Sequence, residues 1–446
     1  MSVFDGNRLS DEVFKLDVER MRRGWYSDKY FANISRMLSC LSAQGYIFAG
    51  KHGRPLARPA AGIPTGDLEV EMQWFTRRAG TTVVVGVDKA LAILRHCTGV
   101  WEGERFLGTW DRLEVEAVHD GSLVESEGDP LQVRPVLRVR GRYRDFALLE
   151  TPTLGVLTRG SRVATNVYES LIAAGGKPVL FFPARFDAYE VQAADGYAYN
   201  LAVQRFNRDF SGRLGPFVST DAQGDWWGGA GSGTVAHAAI ACFLGDTAEA
   251  MWAFAATLPP EIPRIALVDF NNDSVGDSLT TLERMFSHYR QLIDAGDETE
   301  ARRFVLFGVR LDTSSSVRDV NVPSVGDANL DLGVSPRLVL AVRQAIDYSW
   351  EGWSLPQVWR DRAREYCRSV KIVVSGGFTA ERIRHFEHLA VPADIYAVGS
   401  SLFANAGPTV TDYTADVVRV RVGGDWIPMA KVGRAPGENP ELERVR

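Results

Sequence analysis

Two stretches late in the chain, Lys371–Ala380 (KIVVSGGFTA) and Asp394–Ser401 (DIYAVGSS), decide the fold. Each is a short apolar run that stops on a turn of glycine and serine, and the first then opens a helical stretch. Three earlier runs have the same form: Pro178–Phe182 before Pro-Ala-Arg, Ile265–Phe270 before Asn-Asn-Asp, and Phe304–Val309 before Arg-Leu-Asp-Thr. Strands that alternate with helices predict βα units and parallel pairing. In a β/α barrel the chemistry gathers beyond the strand C-termini, and phosphate is often held by the last two loops. Here the reactive-looking side chains follow the runs, and the last two loops are SGG and GSS. An open doubly wound sheet would place its loops similarly, so the barrel is the preferred reading and the open sheet its alternative.

The barrel texture covers 146–410. Upstream, 1–145 is mixed. Asp11–Gln44 has the spacing of one or two amphipathic helices, and Gly50–Asp67 is a Gly/Pro-rich loop. Thr81–Val87 is β-branched, and a short helix starts at Asp88. Arg112–Gly141 reads as antiparallel sheet with turns at His119–Ser122 and Glu125–Pro130. Alternating strands return from Thr411 (ADVVRVRV, DWIPMAKV). The expected architecture is therefore an α/β protein: an N-terminal α/β sandwich domain, 1–145 completed by 411–446, beside a β/α barrel.

Composition narrows the function classes. The 446 residues are 45% hydrophobic and 24% charged, as expected of a globular chain with ample core. With 50 Lys+Arg against 56 Asp+Glu, net −6, there is no basic footprint for nucleic acid or an anionic membrane. Cys40, Cys97, Cys242 and Cys367 are scattered, with no zinc spacing, which fits a reducing compartment. The N-terminus does not read as a signal peptide, and no apolar run approaches the ~20 residues of a membrane span. The expectation is a cytoplasmic enzyme or binding protein.

Several segments carry chemistry. Ser375-Gly376-Gly377 follows a strand and opens a helix, so backbone N–H groups can approach an anion there; a plain turn capped by Thr379 is the bland alternative. Gly399-Ser400 repeats the layout one unit later, and the pair together predicts a phosphate site. Arg310 and Asp312 lie on the same side of an extended strand, suited either to ribose hydroxyls and an anion or to an internal salt bridge. Asp269–Asp273 offers carboxylates for magnesium diphosphate or, alone, a helix-capping loop. His237 stands near a helix start, where a lone histidine is ordinarily structural. Phe182 and Arg185 in FFPARF form a stacking and anion pair for an aromatic acid, or core. Trp226-Trp227 has no assignment from pattern.

Taken in order along nearly the whole chain, these segments resemble the nicotinate phosphoribosyltransferase family of type II phosphoribosyltransferases. Asp28-Lys-Tyr30-Phe is similar to its Asp-x-Tyr motif. Pro135–Gly141, Leu149-Glu-Thr-Pro152 and Val163-Ala-Thr-Asn166 are similar to the strand and helices entering its barrel. Gly233-Thr-Val-Ala-His237 is similar to its Gly-Thr-x-x-His motif. Leu267-Val-Asp269, Gly308–Asp312, Val374–Gly377 and Val398–Ser401 follow in family order.

The resemblance implies an irregular barrel with a sandwich domain, and a homodimer with shared active sites. It further implies ATP-coupled phosphoribosyl transfer from phosphoribosyl pyrophosphate to nicotinate in NAD biosynthesis, with Mg2+ as cofactor and ATP as co-substrate. Carried over, His237 would be the phosphorylated histidine. Phe182 would stack on the pyridine, with Tyr30 of the other subunit on its opposite face and Asp221 at its edge. Arg185 and Arg310 would meet the carboxylate or phosphates, and Asp312 the ribose hydroxyls. Ser375, Gly376, Gly377, Gly399, Ser400 and Lys431 would hold phosphate, and Asp269 would help place magnesium through the diphosphate. The chain departs from the family pattern at Phe186, where many relatives have a second arginine. It departs again at Asp269-Phe-Asn-Asn, at Thr313-Ser-Ser, and in the Asp221–His237 segment. Phe186 motivates the alternative of a nicotinamide-using or other base-specific enzyme; a non-catalytic nucleotide-binding relative is the other.

Overall fold

The computed structural model describes residues 6–50 and 62–446. Most of the expected Gly50–Asp67 loop lies outside these residues, as do the first five residues of the N-terminus. The chain folds as two compact units. One contains the described residues up to Thr165, Tyr197–Arg205 and Ala404–Arg446; the other contains Asn166–Gly196 and Phe206–Phe403. The boundary falls twenty residues beyond the change in sequence texture at 146 (165 against 145), because the helix Glu150–Ala173 runs on from one unit into the other.

In the first unit an antiparallel six-stranded sheet is built from both chain ends. Its order is Asp425–Pro428, Tyr413–Val422, Glu69–Thr76, Leu137–Arg142, Glu114–Ala117 and Glu443–Arg444. The helix Val87–Cys97 buries Leu91 and Leu94 in one cluster with Met72, Trp74, Val115 and Val139 of the sheet, which is the helix-on-sheet layering its apolar spacing dictates. Leu123–Ser126 pairs with Gly80–Val83 in a separate two-stranded sheet, so the turn expected from Glu125 begins later, after Ser126.

The second unit carries five parallel strands, β1 (Val179–Phe181), β2 (Ile265–Leu267), β3 (Gly308–Leu311), β4 (Lys371–Val374) and β5 (Ile395–Val398), in the order β1-β5-β4-β3-β2. The first strand lies beside the last, and Phe181 also bridges in parallel to Val218. This is the cyclic succession of a barrel, whereas a doubly wound sheet would reverse order within the sheet. The barrel is irregular: its sequential ladder of strands is interrupted between Val218 and β2 among the described residues.

Leu180, Ile265, Val373, Ile395 and Ala397 cluster together with Phe182 and Phe217. Val309, Leu311, Val374 and Val398 are also buried, so both faces of the strands are covered and they read as continuous apolar runs. The third strand is displaced from its expected place. Phe304 closes a 3-10 turn, Arg302–Phe304, and Phe307 N–H bonds Arg264 O; pairing starts only at Gly308 and runs into Leu311.

Candidate active site

Parallel register collects the chemistry on one rim. Leu311 pairs with Val374, Arg310 with Leu267, and Val398 with Phe181. One or two residues past these pairs come Phe182, Asp269, Asp312, Ser375 and Gly399, all at strand C-terminal ends.

His237 begins a short helix, His237–Cys242. Its Nε2 lies 3.1 Å from both carboxylate oxygens of Asp269. An ionised carboxylate only accepts, so Nε2 carries the proton of this contact; in the neutral form of the ring the lone pair is then on Nδ1. The imidazole side chain is 45% exposed and the Asp269 carboxylate only 8%. Burial raises the Asp269 pKa, His237 opposes that shift, and the nearby Asp312 charge adds to it. The pair is thus a largely buried acceptor carrying a half-exposed imidazole.

Asp312 is held from beneath. The buried Ser375 hydroxyl lies 2.8 Å from Asp312 Oδ1 and 2.9 Å from Leu311 O, donating its one proton between them. Ser375 thereby orients a carboxylate. Gly376 and Gly377, at φ +82° and +75°, then turn back over Asp312 in a conformation that disfavours side chains. Both are exposed. Thr379 caps the following helix, Ala380–His388, by accepting from Arg382 N–H. Arg382 also bonds Gly376 O at 2.9 Å, fixing the turn's carbonyl. Ser401 Oγ donates to Phe378 O at 2.6 Å, tying the β5 turn to the β4 turn. The two anion-ready loops are neighbours in space.

Arg310 makes no salt bridge with Asp312, the bland alternative for that pair. Its Nη2 donates to Val235 O at 3.2 Å, its Nε has no partner, and its guanidinium sits 5.9 Å from the Phe182 ring centre. Burial lowers its pKa, Asp312 and Asp269 oppose this, and Arg185 lowers it further. Two guanidinium groups in electrostatic reach of one another, beside an aromatic ring, suit an anionic aromatic ligand.

Asp221 Oδ1 accepts the Gly231 N–H at 2.8 Å, so this carboxylate closes its own loop. Trp227 likewise bonds Gln223 O and its ring covers Gly229, which is packing. Tyr30 and Lys431 belong to the first unit. The contacts Ser401–Phe378 and Arg310–Val235 link residues distant in sequence, and no local pattern signals them. Among the described residues no three or more His, Cys, Asp or Glu side chains are grouped to hold a metal. The hard oxygen donors available are Asp269 and Asp312, which fit a magnesium ion arriving on a diphosphate better than a protein-enclosed one.

Residues 63–161 match the family model described as quinolinate phosphoribosyl transferase, N-terminal domain. The nicotinate-nucleotide pyrophosphorylase from Pyrococcus furiosus superposes with a TM-score of 0.61 at 24% identity, over 96% of this chain and 84% of that one. This chain has a phosphoribosyltransferase fold. The human nicotinic acid phosphoribosyltransferase matches it at 15% identity and a TM-score of 0.50, over 90% of this chain and 75% of that one. The order of motifs that resembles the nicotinate phosphoribosyltransferases is thus carried on a phosphoribosyltransferase fold, with the glycine turns, His237–Asp269 and Asp312 on one rim. Among the described residues no helix is long and apolar enough to cross a membrane.

Proposed function

We propose that this chain transfers the phosphoribosyl group of phosphoribosyl pyrophosphate to nicotinate, giving nicotinate mononucleotide and pyrophosphate in NAD biosynthesis, with ATP hydrolysis coupled through His237. The observation that carries the reading is the convergence on one rim of exposed glycine turns, an orienting Ser375–Asp312 pair and a histidine with a free Nδ1.

The chemistry follows from charge. The pyridine nitrogen attacks C1′ of the ribose as the C1′–O bond to diphosphate breaks, and that electron pair leaves on the diphosphate. The ribosyl centre passes through oxocarbenium character, so orientation and stabilised negative charge matter more than a general base. The N–H groups of the Gly376–Gly377 and Gly399–Ser400 turns would hold the 5′-phosphate. Asp312 would accept from ribose hydroxyls, and Phe182 with Arg310 and Arg185 would take the ring and its carboxylate. Magnesium, when bound with the diphosphate, would supply charge neutralisation next to Asp269. His237 Nδ1 would take the γ-phosphoryl group of ATP as ADP leaves, while Nε2–H goes on donating to Asp269, whose carboxylate balances the imidazolium. A homodimer, with Tyr30 of a second copy over the base, completes the proposal.

A second reading, with quinolinate as the base, is favoured by the family-model match over 63–161. Measuring mononucleotide formation from nicotinate, quinolinate and nicotinamide, each with and without ATP, decides. ATP-stimulated turnover of nicotinate alone supports the proposal. Turnover of quinolinate or nicotinamide in its place, or binding of phosphoribosyl pyrophosphate with no turnover of any base, overturns it.

A further inference from the structure

Gly399 differs from the glycines of the β4 turn. Its φ lies outside the left-handed region, so the backbone there would accept any residue. A side chain would nevertheless have to displace a neighbouring ring. A Cβ at Gly399 would stand 2.7 Å from Cε2 and 3.4 Å from Cζ of Phe186. What crowds this position is a ring, and that ring comes from the loop after β1, the strand hydrogen-bonded to β5.

Phe186 closes the 3-10 turn Ala184–Phe186, with its N–H on Pro183 O at 2.8 Å. Its ring is 47% exposed, an unusual place for a phenylalanine unless something is gained at the rim. The Arg185 guanidinium also lies over this ring, 5.3 Å from its centre. One ring thus touches the turn proposed to hold phosphate and the arginine proposed to meet the base.

We infer that Phe186 is a positioning residue, which braces the Gly399–Ser400 turn against the sugar phosphate and holds Arg185 toward the base. This rests on the function proposed above and adds a role that the glycine turns alone do not supply. Because Phe186 touches the turn only through a Cβ-sized gap, shrinking the ring should offset enlarging the glycine.

The test is a double-mutant cycle read by calorimetric binding of phosphoribosyl pyrophosphate with Mg2+, alongside thermal unfolding and steady-state kinetics. Gly399→Ala should weaken binding about tenfold, from overpacking. Phe186→Ala should weaken it about three- to tenfold, raising KM for phosphoribosyl pyrophosphate far more than it lowers kcat. The double variant should bind at least about threefold tighter than Gly399→Ala alone, a coupling that independent sites would not show. Phe186→Leu, which keeps bulk but loses the π face, should retain phosphoribosyl pyrophosphate affinity while raising KM for the base. Strictly additive effects, or a Phe186→Ala protein that unfolds at lower temperature yet binds phosphoribosyl pyrophosphate like the wild type, overturn the inference. Wild-type protein that does not bind phosphoribosyl pyrophosphate overturns the functional reading itself.

Discussion

The carboxylate of Asp269 holds the Nε2 edge of His237 through both oxygens at 3.1 Å, leaving Nδ1 as the accessible nitrogen. Under the proposed function a histidine held this way would serve as the nucleophile toward ATP, with Asp269 ionised. His237→Ala should abolish ATP stimulation of phosphoribosyl transfer while a slow ATP-independent rate persists. Asp269→Asn should lower the ATP-stimulated kcat by about 10²-fold or more. Rates measured with and without ATP check both; ATP stimulation intact in His237→Ala would remove the phosphohistidine.

The same pair sets a pH dependence. Burial, with Asp312 adding to it, raises the Asp269 pKa from its ordinary value. As pH falls, Asp269 therefore takes up its proton earlier than an exposed aspartate would, and the acid limb of ATP-stimulated activity should lie at higher pH than an exposed aspartate would give. Asp312→Asn removes a charge that raises this pKa, so the limb should move to lower pH in whatever activity remains. A pH–rate profile of both proteins with ATP saturating gives the comparison, and a limb that does not move would exclude Asp269 as its source.

Ser375→Ala removes the hydroxyl between Leu311 O and Asp312 Oδ1. The loss of a buried hydrogen bond to a carboxylate should cost about 1–3 kcal/mol of stability. Asp312 would then be free to rotate beneath the glycine turn, so KM for phosphoribosyl pyrophosphate should rise several-fold with kcat less affected. Denaturant unfolding and initial-rate kinetics separate the two effects. An unchanged KM would mean that Asp312 is held adequately by its surroundings.

Much of the barrel was legible because parallel strands buried on both faces must be short apolar runs, as KIVV and DIYAV are, and because their C-terminal ends carry the turns. Which strand neighbours which was not legible, since Val398 pairs with Phe181 across more than two hundred residues of sequence. The start of the third strand was misplaced for a local reason: Phe304 and Leu306 are apolar because they are buried, yet they precede the ladder. In the site, the turns that follow β4 and β5 could be read from glycine and serine spacing. The partners of Asp221, Ser375 and Phe186 could not. A carboxylate that accepts from Gly231, a hydroxyl directed at Asp312 and a ring lying on Gly399 depend on side-chain direction after folding, which spacing does not encode.

Gly377→Ala tests the turn through its backbone alone. At φ +75° the nearest atom to an added Cβ is Arg382 Nη1 at 3.9 Å, so there is room, and the cost is the left-handed conformation itself. Roughly 1–2 kcal/mol of destabilisation is expected, with weaker phosphoribosyl pyrophosphate binding as the turn's N–H groups rotate away. Unfolding in the absence and presence of phosphoribosyl pyrophosphate reads both, and a variant stabilised by ligand as much as the wild type would take phosphate binding away from this turn.

In the first unit, burial together with the charges of Asp416 and Asp28 pushes the Glu150 carboxyl up to about 8. The folded chain then holds a proton that the unfolded chain, with an ordinary glutamate at 4.5, releases earlier. Relative stability from this group is therefore complete below the unfolded value and is lost as pH rises through about 8. Glu150→Gln, which stays neutral throughout, should match the wild type near pH 4 and exceed it by about 1–2 kcal/mol at pH 9. Chemical denaturation across that range is the measurement. Parallel stability–pH curves for the two proteins would show that Glu150 ionises in the folded chain as it does in the unfolded one.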